Sequence, residues 1–208
     1  MTILLTGFDP FGNATANPSW LVAQALHGQR IAGRTVVAAQ LPTEFGASLA
    51  QLQDLLARHR PAVTLCLGLA GGRPALSIER IGINVNDARI PDNQGRQPVD
   101  TPVVTGGPAA YFATLPVKAM LRAVLAAGVA GEVSQTAGTF VCNHVLYGLL
   151  HLLAPQPGAR GGFIHVPWLP EQGQPGMELR DMVRGVHAAL WAAMLTQEDV
   201  ALGAGATH

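Results

Sequence analysis

Charged residues and cysteines are scarce in this 208-residue chain, and each shortage excludes a class of protein. Thirteen basic side chains balance thirteen acidic ones, whereas a nucleic-acid-binding protein of this size carries a clustered basic excess. No apolar run reaches the ~20 residues of a membrane-spanning helix, and the N-terminus lacks the basic start of a secretory signal. Two cysteines in different contexts form no disulfide framework, which favours a reducing compartment. We therefore expect a cytoplasmic protein without nucleic-acid or membrane partners.

The length and the low charge also limit the architecture. A chain of this length fits one domain, which we place at 1–200, followed by a tail at 201–208 that we expect to be frayed. Hydrophobic residues make up 49% of the chain and charged residues only 12%, so the surface is less charged than in most soluble proteins. Such a surface is compatible with an interface between copies of the chain.

Apolar strand patterns alternate with amphipathic helix patterns along the chain. This alternation predicts a single three-layer α/β/α domain with a largely parallel, twisted central sheet, of the phosphorylase/hydrolase-like type. Residues 86–110 are rich in Pro, Gly, Asp and Asn, and an irregular segment of this length is more often functional or interfacial than idle. The predicted strands cover 2–8, 34–42, 62–72, 75–85, 131–136 and 159–169, and the predicted helices begin near Pro18, Phe45, Pro116, Phe140 and Leu179.

Cys142 lies at the start of the helix pattern in "AGTFVCNHVLYGLLH", residues 137–151. If Thr139 caps this helix, the cysteine falls in the first turn, where unpaired N–H groups and the helix dipole stabilise an anion. A thiol placed there can ionise below its free pKa of ~8.5 and act as a nucleophile. The alternative is a cysteine packed in the core under the helix. Cys66, inside an apolar strand, is interpreted as a small buried hydrophobic residue.

A thiol nucleophile needs a base, which is usually a histidine. His144 projects from nearly the opposite helix face to Cys142, and His151 lies about 13 Å further along the helix axis. His165 instead ends an apolar strand, at the sheet edge where ligands bind in open α/β sheets. A core histidine bonded to the backbone is the alternative. His144 and His151 are two turns apart, too far to hold one metal ion, and we find no metal-binding motif.

Glu79 is a carboxylate on an otherwise apolar strand face. Within "ALSIERIGINV", residues 75–85, alternation places it with small and apolar side chains on one side of the strand. Burying an uncompensated carboxylate is costly, so we expect Glu79 to have a partner. Arg80 or Arg89 would make this a structural ion pair, whereas His165 would make Glu79 the group that orients the base.

Four blocks of the sequence, in order, resemble the pyroglutamyl peptidase I (pyrrolidone-carboxylate peptidase) family of cysteine peptidases. They are "LLTGFDPFG…NPSW", "GLAGGR…IERIGIN", "AGTFVCNHVLYGLLH" and "FIHVPWLPEQ", and the similarity extends over nearly the whole chain. The resemblance implies a cofactor-free exopeptidase that removes N-terminal pyroglutamate from peptides through a thioester intermediate. It also implies a homotetramer.

The resemblance further implies a role for particular residues. Cys142, His165 and Glu79 match the catalytic triad of the family, and Arg89 would lie close to them and help to stabilise the oxyanion. Two positions depart from the family pattern: Leu69 stands where Gln is usual, and Trp168 replaces a common Tyr. The pocket for the pyroglutamyl ring would be lined by Phe8, Phe11, Thr43, Leu69, Ile90, Phe140 and Val141, with Asn17 at its polar edge.

Two other functions remain open at this stage. "TGFDPFG" and "GLAGGRP" are glycine-containing loops after predicted strands, and such loops cradle phosphate in a transferase of the nucleoside phosphorylase kind. Neither loop matches a known nucleotide-binding motif. An inactive homologue of the peptidase is the second alternative, because Leu69 weakens substrate binding if a side chain at this position contacts the ring.

Overall fold

The computed structural model describes residues 2–12 and 14–206. It confirms the alternation of strands and helices, with nine strands and five helices in the described residues. The strands are β1 Ile3–Phe8, β2 Arg30–Ile31, β3 Arg34–Leu41, β4 Val63–Leu69, β5 Leu76–Glu79, β6 Ile81–Ile83, β7 Ala110–Phe112, β8 Gly131–Ser134 and β9 Arg160–Val166. The helices are α1 Pro18–Leu26, α2 Ala47–His59, α3 Val117–Ala126, α4 Val141–Leu153 and α5 Leu179–Leu195.

Seven of the described strands form one sheet in the order β2-β3-β1-β4-β9-β5-β8. Strands β3, β1, β4 and β9 run parallel, while β2 is antiparallel to β3 and β5 is antiparallel to β9. Helices α1, α3 and α5 contribute to the core on one face, and α2 and α4 to the core on the other. The three-layer α/β/α fold with a largely parallel sheet is therefore confirmed. Its parallel strands bring their carboxyl ends to one edge, where a site is expected.

The strand predicted over residues 75–85 is wrong as a single element. The pairing changes at Arg80, so that β5 joins the main sheet while β6 pairs with β7 in a separate two-stranded antiparallel sheet. Arg80 N–H donates to Ser134 O, and its carbonyl accepts from Ala113 N–H, so this residue connects the two sheets. The sequence pattern missed β7 because its three residues are incompletely buried and adjoin the irregular segment.

Strand β6 lies against the first turns of α4. The buried Asn143 side chain accepts from Ile83 N–H at 3.0 Å and donates to Ile83 O and Val85 O, both at 2.9 Å. Gly82 permits the close approach, since a Cβ at this position would lie 2.9 Å from Tyr147 N. These contacts fix the start of α4, the helix that carries Cys142, against a neighbouring strand.

After α5, the described chain contains no further helix or strand up to residue 206, yet it contacts the rest of the protein. The Asp199 carboxylate accepts from the N–H groups of Lys118 and Ala119 at the start of α3, and Ala204 packs against the core. The single domain at 1–200 and the frayed tail remain predictions, and residues 207 and 208 lie outside the described residues. Among the described helices, none combines the length and apolar character that crossing a bilayer requires.

Replacing Asn143 by Ala should lower the free energy of unfolding by about 2–4 kcal/mol, because buried backbone groups around β6 lose their partners. Urea unfolding followed by circular dichroism measures this loss. Gln53→Ala, which removes an exposed amide on α2, is the control and should change the free energy by less than about 0.5 kcal/mol. Equal stability of the two variants would show that Asn143 does not anchor α4.

Candidate active site

Two polar side chains meet on the sheet face that α4 covers. The strand register pairs Ser77 of β5 with His165 of β9, and Glu79 with Phe163. Glu79 and His165 are therefore diagonal neighbours on one face, close enough for long side chains to meet. The distance from Glu79 Oε1 to His165 Nδ1 is 2.7 Å. Because a carboxylate accepts this bond, Nδ1 carries the hydrogen and Nε2 is left as a proton acceptor.

Glu79 is completely buried and binds a second partner, Arg73, in the loop after β4. Arg73 Nη1 donates to Oε1, the oxygen that also binds His165, at 2.8 Å. Arg73 thus takes the place of Arg80 and Arg89, the charged partners expected from the sequence. The sequence signal for Arg73 was its place in "GLAGGR", directly after a strand that ends at the binding edge of the sheet.

Cys142 is the second residue of α4, in the first turn as expected. The predicted capping by Thr139 is wrong: Phe140 is the N-cap residue, and the Thr139 hydroxyl donates to Asp87 O at 2.7 Å. A Cβ at Gly68 would lie 2.7 Å from the Phe163 ring and 2.8 Å from Cys142 Sγ, so the ring and the sulfur share the space that a side chain there would fill. Gly68 is the register partner of His165. The sulfur therefore lies over the strand position next to His165.

Burial sets the protonation states of both groups. It raises the pKa of the Cys142 thiol to about 12; the charge of Glu79 adds to this rise, and that of Arg73 opposes it. Burial also lowers the pKa of His165, although its hydrogen bond to Glu79 acts in the opposite direction. Burial therefore opposes the low thiol pKa that the helix N-terminus favours. Both pKa directions favour a thiol beside an uncharged imidazole at neutral pH.

A pocket at the carboxyl edge of the sheet contains Cys142 and His165 in its wall. Ile90 lies outside it, contrary to the expectation from the family resemblance. It is 48% exposed and lines an adjacent depression together with Arg89 instead. Seven predicted residues do line the pocket, namely Phe8, Phe11, Asn17, Thr43, Leu69, Phe140 and Val141, together with Ala70, Arg73, Ala137 and Gly138.

The two positions that depart from the family pattern lie in different surroundings. Leu69 ends β4 and lines the pocket. Trp168 packs its ring against Gly71, so closely that a Cβ on that glycine would approach within 2.3 Å of it. Leu69 is thus placed to affect ligand binding, whereas Trp168 supports the loop that follows β4.

An aromatic contact supports the pocket from behind. Phe45 meets Phe140 edge-to-face, with ring centroids 5.3 Å apart, and His144 lies 5.5 Å from Phe45. His144 Nε2 accepts from Gly46 N–H at 3.1 Å, and Nδ1 donates to Asn86 Oδ1 at 3.0 Å. Burial lowers the pKa of His144 to about 4, so the ring stays neutral. With both nitrogens engaged, His144 holds the wall in place and is not a second base.

Residues 92–96 of the irregular segment bind the main chain of the pocket wall, and we call them the clasp. The Asp92 carboxylate accepts from Phe45 N–H at 2.8 Å, and Asn93 N–H donates to Thr43 O at 3.1 Å. The irregular segment therefore has at least one definite task, which is to hold the loop that carries Thr43 and Phe45.

Replacing Gly68 by Ala should lower the rate of alkylation of Cys142 by iodoacetamide about 10- to 100-fold, because the new methyl group displaces the sulfur from His165. Mass spectrometry of the Cys142 peptide gives the rate. Gly131→Ala is the matched control, since its Cβ would crowd Val124 at 2.9 Å, outside the pocket lining. If both variants react at the wild-type rate, the sulfur does not depend on this space.

Comparison with known proteins assigns the chain to a family. A family model described as pyroglutamyl peptidase matches residues 1–196. A pyrrolidone-carboxylate peptidase from Cupriavidus necator is 54% identical over 214 residues, which cover 100% of this chain and 99% of that protein. The crystal structure of pyroglutamyl peptidase I from Bacillus amyloliquefaciens matches with a TM-score of 0.95 and 43% identity, over 97% of this chain and 99% of that chain. Pyrrolidone carboxyl peptidase from Thermococcus litoralis matches with a TM-score of 0.94 and 31% identity, over the same shares of the two chains. The chain belongs to the pyroglutamyl peptidase family of cysteine peptidases.

Proposed function

We propose that the protein hydrolyses the bond after an N-terminal pyroglutamyl residue of peptides, with Cys142 as nucleophile, His165 as base and Glu79 as the group that orients His165. The observation that carries this proposal is the shared pocket of Cys142 and His165, with His165 bonded to the buried Glu79. This arrangement has the nucleophile, base and orienting acid of a cysteine hydrolase.

The composition of the pocket wall supports a pyroglutamyl ring as the bound group. Phe8, Phe11 and Phe140 offer flat apolar surface, and none of the described residues that line the pocket is an Asp or Glu. An ordinary N-terminus carries an ammonium group, which would enter this wall without a counter-charge. The pyroglutamyl lactam has no such charge, so its burial costs less. An apolar side chain at Leu69 suits the ring if the main chain makes the polar contacts.

The proposed reaction begins with the neutral thiol. The sulfur of Cys142 forms a bond to the pyroglutamyl carbonyl carbon, while the thiol proton passes to His165 Nε2 and the carbonyl electron pair moves to oxygen. The carbon–nitrogen bond then breaks, and Nε2 returns the proton to the leaving amine. A thioester remains on Cys142. Water, activated by the same nitrogen, releases pyroglutamate and restores the thiol.

Two groups are proposed to stabilise the charges that develop. The Cys142 N–H, at the N-terminus of α4, is free of an intrahelical partner by helix geometry and faces the developing oxyanion, a contribution of roughly 3 kcal/mol. Glu79 stabilises the imidazolium that forms on His165. The oxyanion role of Arg89 remains a prediction, since this residue lines the adjacent depression.

The phosphate-binding alternative gains no support from the loop "GLAGGRP". Arg73, the charged residue in this loop, is bonded to Glu79, Ser134 and Thr136. Gly71 is covered by the ring of Trp168. Arg73 and Gly71 are thus engaged in contacts within the protein and are not available to bind phosphate.

A cytoplasmic location and a homotetramer remain predictions. Large apolar side chains remain on the described surface, among them Phe112, which is 68% exposed, and Leu195, which is 63% exposed. An interface between copies of the chain would bury such surface.

The wild-type protein should release aminomethylcoumarin from pyroglutamyl-aminomethylcoumarin and leave the matching prolyl substrate intact, since prolyl carries a charged amine into an apolar pocket. Cys142→Ala should reduce turnover by about 10⁴-fold or more, because the nucleophile is lost. Fluorescence gives both rates. Cys66→Ala is the control, as this cysteine is buried among apolar residues, and it should keep turnover within severalfold of wild type.

Activity of Cys142→Ala near the wild-type level would contradict the mechanism. Inactivity of the wild-type protein on both substrates would identify an inactive homologue, and Leu69→Gln would then be the first variant to test for recovery.

Replacing Glu79 by Gln should reduce kcat/KM about 10- to 100-fold and shift its acid limb to lower pH. The carboxylate raises the pKa of His165, so its loss lowers that pKa further below the usual ~6.5 and keeps the base neutral in more acid solution. The pH profile of kcat/KM with the coumarin substrate measures both effects. Full activity with an unshifted limb would leave Glu79 as an ion-pair residue alone.

A further inference from the structure

Arg73 shares one oxygen of Glu79 with His165. Oε1 accepts from His165 Nδ1 at 2.7 Å and from Arg73 Nη1 at 2.8 Å, while Oε2 is buried without a hydrogen-bond partner among the described residues. The carboxylate is therefore held through a single oxygen by two donors. Without the guanidinium, nothing in these contacts would decide which of the two oxygens faces the imidazole.

Arg73 also connects Glu79 to the loop that leads to the nucleophile. Its Nη1 donates to Ser134 Oγ at 3.3 Å, and its Nη2 donates to Thr136 O at 3.1 Å. Ser134 ends β8, and the chain continues through Thr136 into α4 and Cys142. The planar guanidinium thus fixes the Glu79 carboxylate relative to the segment that leads to Cys142. A lysine, with a single ammonium group, cannot make all of these bonds at once.

The charge of Arg73 acts on the same groups. Three titratable or charged groups surround His165 in the described structure: Glu79 on β5, Arg73 after β4 and Cys142 on α4. Cys66, on β4 two residues before Gly68, is a neutral thiol. A lone carboxylate at this depth would strongly favour the imidazolium form of His165. The guanidinium offsets that carboxylate, and its charge lowers the pKa of both His165 and Cys142.

We propose that Arg73 is a positioning residue for the peptidase reaction: it fixes the Glu79 carboxylate through Oε1 and offsets its charge, so that His165 is held in orientation yet remains a neutral base. This role rests on the proposed function of Cys142, His165 and Glu79. Arg73 acts through Glu79 and needs no contact with the substrate.

The first experiment compares Arg73→Met and Arg73→Lys with the wild-type enzyme on pyroglutamyl-aminomethylcoumarin. Arg73→Met should lower kcat about 10- to 100-fold with KM within about threefold, and should shift the acid limb of kcat/KM to higher pH. The limb moves to higher pH because the charge of Arg73 lowers the pKa of His165, and its removal lets that pKa rise. Arg73→Lys should return the limb towards the wild-type position and restore kcat only in part. Lysine keeps the positive charge but lacks the two donor nitrogens with which the guanidinium binds Glu79, Ser134 and Thr136.

The second experiment measures His165 without catalysis. In the Cys142→Ala protein labelled with ¹³C-histidine, NMR titration should give a higher pKa for His165 when Arg73→Met is added. The signal is assigned by its loss in His165→Gln. This readout remains valid if the wild-type enzyme fails to cleave the coumarin substrate, so failure of the proposed function and failure of the Arg73 role are distinguishable.

Arg184→Met is the matched control, because this exposed arginine lies on α5 across the sheet and pairs with Asp181. It should leave kcat, the acid limb and the His165 titration unchanged.

If Arg73→Met only lowers the thermal unfolding temperature, with the limb and the titration as in wild type, Arg73 is merely structural and the proposal is overturned. If Arg73→Met fails to fold, Arg73→Lys decides: an undiminished kcat overturns the proposal, and a reduced kcat with an unshifted limb supports it.

Discussion

The geometry of the site depends on one buried charge, the carboxylate of Glu79. Its exposed fraction is zero, and a carboxylate so placed must be compensated or become protonated. Compensation comes from two sides at once, from the imidazole of His165 on β9 and the guanidinium of Arg73 after β4. The need to satisfy this one group therefore ties β9 to β5, across 86 residues of sequence, and to the nearby loop that carries Arg73.

The fold supplies the positions that this compensation requires. Parallel strands bring Leu69 and His165 to one edge, while the reversed direction of β5 places Glu79 diagonally beside His165 on the same face. Helix α4 covers that face, and the absence of a side chain at Gly68 leaves room for the sulfur of Cys142. The proposed nucleophile, base and orienting acid thus come from three elements, each held by packing or hydrogen bonds of its own.

Local patterns were sufficient to predict most of the elements and to single out Cys142, His165 and Glu79 as candidate site residues. Continuous apolar runs ending in glycine identified β1 and β4, and the first turn of α4 pointed to Cys142. Contacts that form only in the folded chain were beyond reach. Arg73 lies just six residues before Glu79, yet alternation within residues 75–85 does not reveal that its guanidinium reaches the carboxylate.

The effect of burial on the pKa of the Cys142 thiol was also missed, for a related reason. A helix N-terminus can be recognised in the sequence, and it favours a thiolate. The burial that raises the pKa of the Cys142 thiol cannot be recognised in the same way. Which effect prevails depends on how α4 packs on the sheet, a property of the whole fold.

The clasp at residues 92–96 binds main-chain atoms of the pocket wall, whereas side chains of the wall shape the pocket. Its hydrogen bonds to the pocket wall end on the N–H of Phe45 and the carbonyl of Thr43. The side chains of the same two residues face the pocket or its aromatic support. The hold of the clasp on this loop is therefore independent of the side chains at these two positions. The wall can change its shape over evolution, residue by residue, while the scaffold that holds it stays the same.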